Sequence, residues 1–196
     1  MSIIAHYTTN NYQLSKSSSK NTKMEKMIAE ELLERYSEGQ RQFDNIDLSN
    51  IQLFEVDLKG INLEGCNLKR AYLPYANLNQ ANLTGCNLQE VEMGDIKLYQ
   101  ANLSNANVQQ GNLSRANLRN ANLRGANLSR VNLTGANLYN ADLRDTDLRY
   151  ADLRGANLEK AKLDNAKLGW CNLYQAKKVN LSMAEQDHTT IGPGGY

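Results

Sequence analysis

The sequence predicts an all-β solenoid, in which the chain bends at regular intervals and stacks on itself in coils. Three observations predict it. Leucine recurs at every fifth position, a small or apolar residue stands two positions before each leucine, and Asn or Asp usually stands between the two. The segment SRANLRNANLRGANLSRVNL, residues 114–133, shows all three features in four consecutive repeats.

A period of five residues fits neither common secondary structure. An α-helix advances about 100° per residue, so a five-residue step of about 140° would distribute the leucines around the whole helix. A flat strand alternates its faces, so an odd step would send successive leucines to opposite sides. Three extended residues followed by a two-residue turn return every leucine to the same interior. The residue two positions earlier then also points inward.

The frame begins at Phe43 and runs to Leu173 without an insertion. Of its 27 positions, only Phe43, Met93 and Val108 are not leucine. We therefore expect one continuous apolar core along the repeats. The core residues that we single out are Phe43, Leu63, Leu83, Leu103, Leu123, Leu143, Cys66 and Cys86.

The repeats resemble those of the pentapeptide repeat family, for example Ala121-Asn122-Leu123-Arg124-Gly125 and Ala141-Asp142-Leu143-Arg144-Asp145. The resemblance implies a right-handed quadrilateral β-helix with four repeats per coil. The repeats would then make about seven coils, and at a strand spacing of about 4.8 Å the rod would be roughly 30 Å long. The segment from Leu32 to Phe43 resembles the lead-in of many cyanobacterial members.

The chain divides into four predicted parts. Residues 1–21 are rich in Ser, Asn and Thr and are expected to form a flexible tail. Residues 22–39 are expected to form a capping helix, with Thr22 and Glu25 as a capping box and Gly39 at its end. The apolar stripe of this helix would consist of Met24, Met27, Ile28, Leu32, Leu33 and Tyr36. The repeats would occupy residues 40–183, and residues 184–196 would form an irregular tail.

Composition favours a cytoplasmic protein. Mean hydropathy is −0.61, and no stretch of the sequence approaches the roughly 18 apolar residues of a membrane span. The N-terminus lacks the pattern of a secretory signal. Cys66, Cys86 and Cys171 all stand at inward positions. A twenty-residue coil would stack Cys66 on Cys86 at a spacing that permits a disulfide, but parallel side chains in a reducing compartment favour free thiols.

The net charge of the repeats indicates which kinds of partner the rod could bind. Residues 43–173 contain 14 Lys and Arg and 14 Asp and Glu, so their formal charge is zero. Some members of the family resemble DNA in charge and shape and protect DNA gyrase, which requires a strongly acidic rod. The neutral repeat surface therefore disfavours this alternative. It also argues against nucleic acid as a partner, because aspartates are interleaved with the arginines.

Neither catalysis nor metal binding is expected. The only histidines are His6 and His188, both in the predicted tails. Asp145, Asp147 and Asp152 resemble a calcium loop only loosely, because no bidentate Glu follows at the required offset. We therefore expect no catalytic residue, no metal and no cofactor, and an interior too full of leucine to hold a substrate.

The remaining candidates for function are aromatic and arginine residues at positions twenty apart. One column is Tyr99, Arg119 and Tyr139, and a second is Arg130, Tyr150 and Trp170. A further group at the early coils is Phe54, Tyr72, Pro74 and Tyr75. Such residues are enriched at binding hot spots, although cation–π contacts between coils would equally stabilise the scaffold. We expect a non-enzymatic regulator that binds another protein. The resemblance to the family further implies a homodimer formed through the C-terminal coils.

Overall fold

Backbone pairing in the repeats joins each outward residue to the residue twenty positions later. In the computed structural model, which describes residues 24–195, parallel β-bridges of this kind begin with Gln42 and Asn62 and end with Asn157 and Lys177. Each strand is so short that only its central residue forms a bridge. Four such series follow one another within twenty residues, so the coil has four sides.

We number the sides by their central residues. The first side begins at Gln42, the second at Asp47, the third at Gln52 and the fourth at Asp57, and each continues with every twentieth residue. Two residues form the corner between consecutive sides. The sides therefore follow one another around the rod in the order of the sequence, and the first lies opposite the third.

Each corner is a tight turn that starts at the inward leucine. In one example, the N–H of Cys66 donates to the carbonyl oxygen of Leu63 at 3.0 Å. The second corner residue, Gly65, is the third residue of the turn and has a φ of 67°. A turn in which only the third residue has a positive φ is a type II turn. Corners from Asn45 to Gln175 repeat this positive φ. An added Cβ at Gly65 would lie 2.5 Å from Oδ1 of Asn45, so glycine suits both the φ and the space.

The outward asparagines hold the corners and join the coils. Oδ1 of Asn122 accepts from the N–H of Arg124 at 3.1 Å, which satisfies a backbone donor of the turn. Nδ2 of the same residue donates to Oδ1 of Asn102 in the preceding coil at 3.0 Å. The preference for Asn or Asp at this position therefore has a physical cause, because one side chain closes its own turn and contacts the next coil.

The leucine frame forms a continuous core. Leu63, Leu83, Leu103, Leu123 and Leu143 are fully buried. Phe43, Cys66 and Cys86 are buried as well, and the Cys66 thiol donates to the carbonyl oxygen of Phe43 at 2.8 Å. The interior is thus filled by side chains from all four sides.

The N-terminal helix is shorter than the sequence predicted. Helix α1 spans Ala29–Ser37, and its N-cap residue Ile28 makes no side-chain capping hydrogen bond. The predicted capping box therefore does not start this helix, and Thr22 lies outside the described residues. The predicted tail of residues 1–21 also lies outside them.

Residues before α1 are extended because they cover an open strand edge. Lys26 forms a parallel bridge with Asp47, and the N–H of Met27 donates to the carbonyl oxygen of Asp47 at 3.0 Å. A helix at this point would leave that edge of the second side unpaired. Of the predicted apolar stripe, Met27 and Leu32 are buried and Leu33 and Tyr36 pack against the core, whereas Met24 and Ile28 are exposed.

The C-terminal segment is more regular than predicted. Glu185 forms a bridge with Lys167, and Ile191 forms one with Asn172. Residues 183–193 therefore continue the second and third sides by one further strand each, although their side chains no longer follow the five-residue frame. Pairing survives because it uses backbone groups: the N–H of Leu173 donates to the carbonyl oxygen of Ile191 at 2.8 Å. The described chain contains no helix with the length and apolar character needed to cross a membrane.

Candidate interaction surface

The corner between the second and third sides carries a ladder of one arginine and two aromatic residues. The guanidinium of Arg130 lies 4.7 Å from the ring centroid of Tyr150. The rings of Tyr150 and Trp170 are stacked, with 6.1 Å between their centroids and 5° between their planes. All three side chains are exposed, Trp170 at 60% and Tyr150 at 49%. The register of twenty residues thus brings the second predicted column together.

The corner between the fourth and first sides holds the other predicted column. The guanidinium of Arg119 lies 5.4 Å from the ring centroid of Tyr139. Lys160, which sequence reasoning missed, lies 5.2 Å from the same centroid, and its Nζ donates to the Tyr139 hydroxyl at 2.8 Å. Tyr139 and Tyr99 are both partly buried. These contacts hold the Tyr139 ring between two cations and make this corner suited to stabilising neighbouring coils.

The two predicted columns do not form one surface. The order of the sides places their corners diagonally opposite each other across the rod. A partner that covers Trp170 on one flat side therefore does not reach Arg119.

A third aromatic group lies at the N-terminal end of the third side. Tyr72 is the central residue of this side in its coil, and Phe54 and Tyr75 lie at the corner between the third and fourth sides. The Phe54 ring is stacked with the Tyr72 ring at 6.3 Å and meets the Tyr75 ring edge-on at 5.7 Å. All three are exposed. These residues therefore lie together, as the sequence predicted, and Pro74 immediately precedes Tyr75 in the chain.

Exposed aromatic residues in the described chain are confined to one side of the rod. We call the third side and its two corners the aromatic side. Its exposed aromatic residues are Phe54, Tyr72, Tyr75, Tyr150, Trp170 and Tyr174. Sequence reasoning missed Tyr174, although it follows Phe54 by a whole number of coils at the same corner. It also missed the exposed Ile191, because the C-terminal segment lacks the frame that assigns residues to sides.

Three of these aromatic residues occupy a strained backbone conformation. Tyr75, Tyr150 and Trp170 are second corner residues, with φ values of 62°, 63° and 61°. Bulky residues rarely adopt this left-handed region, which Gly and Asn accept far more readily. Most other second corner residues, such as Glu55, Gln80 and Arg115, are also not glycine and share this φ, so the aromatic residues carry the same backbone cost as the other corners.

The aspartates that resembled a calcium loop are engaged with arginines. Nε of Arg144 donates to Asp142 at 2.8 Å, and the pairs Asp147–Arg149 and Asp152–Arg154 repeat this geometry. These hydrogen bonds hold the pKa of Asp142, Asp147 and Asp152 below the ordinary value. Asp145 instead accepts from Nε of Arg124 at 3.0 Å. Among residues 24–195, no group of three or more His, Cys, Asp or Glu side chains converges as metal ligands would.

The cysteines are free and buried. Burial raises the pKa of the Cys66 thiol to about 11 and those of Cys86 and Cys171 to about 12. A thiolate is the nucleophilic form of cysteine. These thiols therefore act as small core residues and are poorly suited to nucleophilic chemistry.

The fold and its surface define a solenoid repeat protein with a leucine-filled core and exposed side chains on four sides. The chain belongs to the pentapeptide repeat family: the family "Pentapeptide repeats" matches in eight copies, over residues 42–70, 51–90, 93–135, 112–149 and 141–177. This confirms the resemblance and the right-handed quadrilateral β-helix that it implied. The chain is accordingly a pentapeptide repeat scaffold.

Solved structures of the same class are similar to the chain. HetL, a pentapeptide repeat protein involved in heterocyst differentiation regulation from Nostoc sp. strain PCC 7120, is 28% identical over 87% of this chain and 99% of its own, with a TM-score of 0.36. Trypsin-treated QnrB1, a plasmid-mediated fluoroquinolone resistance protein, is 21% identical over 75% of this chain and 80% of its own, with a TM-score of 0.56. A second Nostoc protein, alr5209, is 28% identical over 82% and 93% of the two chains, with a TM-score of 0.28. Comparison with curated proteins gives no significant match.

Proposed function

We propose that this protein is a non-enzymatic scaffold that binds another protein through its aromatic side. The observation that carries the proposal is that, within residues 24–195, the exposed aromatic residues are confined to one of the four sides. Scattered apolar residues are ordinary on a protein surface, but clusters of them mark interaction sites. Tyr, Trp and Arg, which form the ladder of Arg130, Tyr150 and Trp170, are also the residues enriched among binding hot spots.

The rigidity of the rod supports the same function. Every coil is joined to the next by backbone hydrogen bonds on four sides, and the outward asparagines add side-chain ladders. A preformed flat surface loses little conformational entropy when a partner binds. We propose the cytoplasm as the compartment, which suits the three free thiols, and we propose no catalytic role, because the leucine core fills the interior.

The test is affinity capture with the intact chain as bait, in which we expect one dominant partner. Trp170→Ala should abolish or strongly weaken its capture, because Trp170 is the most exposed aromatic residue of the proposed surface. Arg119→Ala is the matched control on the opposite corner and should retain the partner. Capture that is unchanged by Trp170→Ala and lost with Arg119→Ala would move the binding surface to the other column.

The alternative function is the protection of DNA gyrase by DNA mimicry. The likeness to QnrB1 is a likeness of fold, and the repeats carry no net charge, whereas a mimic of DNA needs a dense negative field. We expect a gyrase supercoiling assay to show neither inhibition nor protection over a wide range of protein concentration. Protection at stoichiometric concentrations would favour the alternative over the aromatic side.

A further inference from the structure

We infer that the aromatic side of one copy packs against the aromatic side of a second copy that runs in the opposite direction. The inference rests on the proposed function, because it names the partner of the same surface. Three features of the described chain support it: the position of the aromatic clusters, the symmetry that this position permits and the distribution of charge along the rod.

The aromatic residues lie at both ends of the side and leave its middle polar. Phe54, Tyr72 and Tyr75 form the N-terminal cluster, and Tyr150, Trp170 and Tyr174 form the C-terminal cluster. The coils between them carry small, polar and charged residues on this side, among them Gly94, Asn112, Ser114, Asn132 and Thr134, the outward Glu92 and the ion pair of Asp95 and Arg115. Tyr72 and Asn172 lie five coils apart on the third side, which is about 24 Å at the usual strand spacing. A second rod of the same length contacts both clusters and the coils between them.

A two-fold axis between the copies, perpendicular to both rods, relates the two clusters. Such an axis reverses the direction of the rod and leaves each corner facing its counterpart, so the interface is self-complementary. In the register that pairs the coil of Tyr75 with that of Tyr174, these two residues face each other at one corner, and Phe54 lies one coil beyond. At the other corner, Arg70 and Trp170 lie at opposite ends of the same side, so that Trp170 faces Arg70 of the second copy. Aromatic pairs and an arginine over an indole are both favourable contacts.

The charge of the rod favours the same arrangement. Residues 24–95 contain six Lys and Arg and 13 Asp and Glu, a net charge of −7. Residues 96–195 contain 13 Lys and Arg and eight Asp and Glu, a net charge of +5. The neutrality of the repeats therefore conceals an acidic N-terminal half and a basic C-terminal half. Antiparallel copies place opposite charges against each other, which favours association.

The competing arrangement is the homodimer through the C-terminal coils that the family resemblance implies. It would bring two basic halves together, including Lys162 and Lys177, which are exposed at that end. Like charges at an interface disfavour association. The two arrangements therefore differ in which ends of the two chains meet, and this difference can be measured.

Cross-linking of single-cysteine variants distinguishes the two arrangements. Glu55 and Gln175 are exposed second corner residues at the same corner of the aromatic side, near opposite ends of the rod. The native cysteines are buried and should not react with a short bismaleimide. A mixture of Glu55→Cys and Gln175→Cys chains should form a mixed cross-linked dimer, and Gln175→Cys alone should not. Cross-linking of Gln175→Cys to itself would overturn the proposal in favour of the C-terminal arrangement.

Sedimentation velocity of the full chain tests the role of the aromatic side. We expect a monomer–dimer equilibrium that weakens at high salt. Trp170→Ala should raise the dissociation constant of the dimer by at least about tenfold, because in a two-fold symmetric dimer the substitution removes two equivalent contacts. Arg119→Ala, on the opposite corner, should leave it unchanged. A chain that remains monomeric up to its highest soluble concentration would overturn the proposal.

Failure of this inference and failure of the proposed function give different results. If the aromatic side binds only a different protein, the wild-type chain sediments as a monomer and Trp170→Ala still loses the captured partner. If the aromatic side binds no protein, Trp170→Ala changes neither the sedimentation of the chain nor the capture of a partner. Because the Trp170 side chain is exposed, its removal should leave the fold intact, which circular dichroism of the variant checks.

Discussion

The indole of Trp170 lies parallel to the phenol ring of Tyr150, with 5° between the ring planes and 6.1 Å between the centroids. The indole is 60% exposed, near the C-terminal end of the aromatic side. Because Trp170 is the only tryptophan in the chain, its fluorescence reports on this surface alone.

We predict that the dilute chain has the long-wavelength emission of an exposed indole and is readily quenched by acrylamide. Binding of a partner or a second copy to the aromatic side should shift the emission to shorter wavelength and reduce the quenching. Tyr150→Ala should increase the access of acrylamide to Trp170, because it removes the stacked ring. Emission at short wavelength from the dilute chain would contradict the exposure of the indole.

Core and surface substitutions should differ sharply in their effect on stability. Leu103→Ala removes a fully buried side chain and should lower the free energy of unfolding by about 2–5 kcal/mol. Trp170→Ala removes an exposed one and should lower it by less than about 1 kcal/mol. Urea unfolding followed by circular dichroism measures both. Similar losses for the two variants would show that the ladder, and not only the core, holds the coils together.

The aspartate–arginine pairs make the last regular coils sensitive to acid. Hydrogen bonds from Arg144, Arg149 and Arg154 lower the pKa of their partner aspartates in the folded chain. Since the folded pKa lies below the unfolded one, these pairs contribute full stability above the ordinary pKa of 3.8. The contribution is lost as the pH falls through the lowered folded pKa.

We therefore predict that the free energy of unfolding falls below about pH 4, and that the loss is smaller in the triple variant Asp142→Asn, Asp147→Asn, Asp152→Asn. Asparagine is a matched replacement, because most equivalent repeats already carry it and its Oδ1 can still close the turn. Urea midpoints between pH 3 and pH 7 measure the difference. Parallel pH profiles for the two proteins would assign the acid sensitivity to other carboxylates.

The cysteines should be unreactive in the folded chain. Burial raises the pKa of Cys66 to about 11, and the thiol is closed off by the coils on either side. We predict that Ellman's reagent at pH 8 labels the native chain very slowly and labels all three thiols rapidly in denaturant. Rapid labelling of one thiol in the native chain would indicate that its coil opens locally.

The repeat itself explains why so much of the fold could be predicted. A five-residue period that excludes helices and flat strands leaves few alternatives, and one frame assigns every residue from Phe43 to Leu173 to the inside, the outside or a corner. The prediction was wrong where that frame is absent. Before the repeats, helix propensity competed with an open strand edge at Asp47, and the edge determined the conformation of residues 24–28. After Lys178, backbone pairing continued without the side-chain pattern that would have revealed it.

The surface could be predicted less well, because a column in the sequence does not show how exposed its side chains are. Tyr139 belongs to one predicted column and Tyr150 to the other, yet Tyr139 is partly buried and Tyr150 is exposed. The separation of an acidic N-terminal half from a basic C-terminal half was missed for a different reason. The net charge of zero is a sum over the whole rod. The two halves become two ends of the rod only once the coils are known to stack in sequence order.

One consequence of the twenty-residue register concerns insertions. A segment of five residues added at a corner keeps every downstream leucine in phase with the interior, so the rod should tolerate it. All outward side chains downstream of the insertion, however, advance by a quarter turn around the rod. Trp170 would therefore move away from the side that carries Phe54 and Tyr72. Four such segments restore the original alignment in a longer rod. The same scaffold can thus acquire new combinations of neighbouring side chains by changes of length alone, without a single substitution.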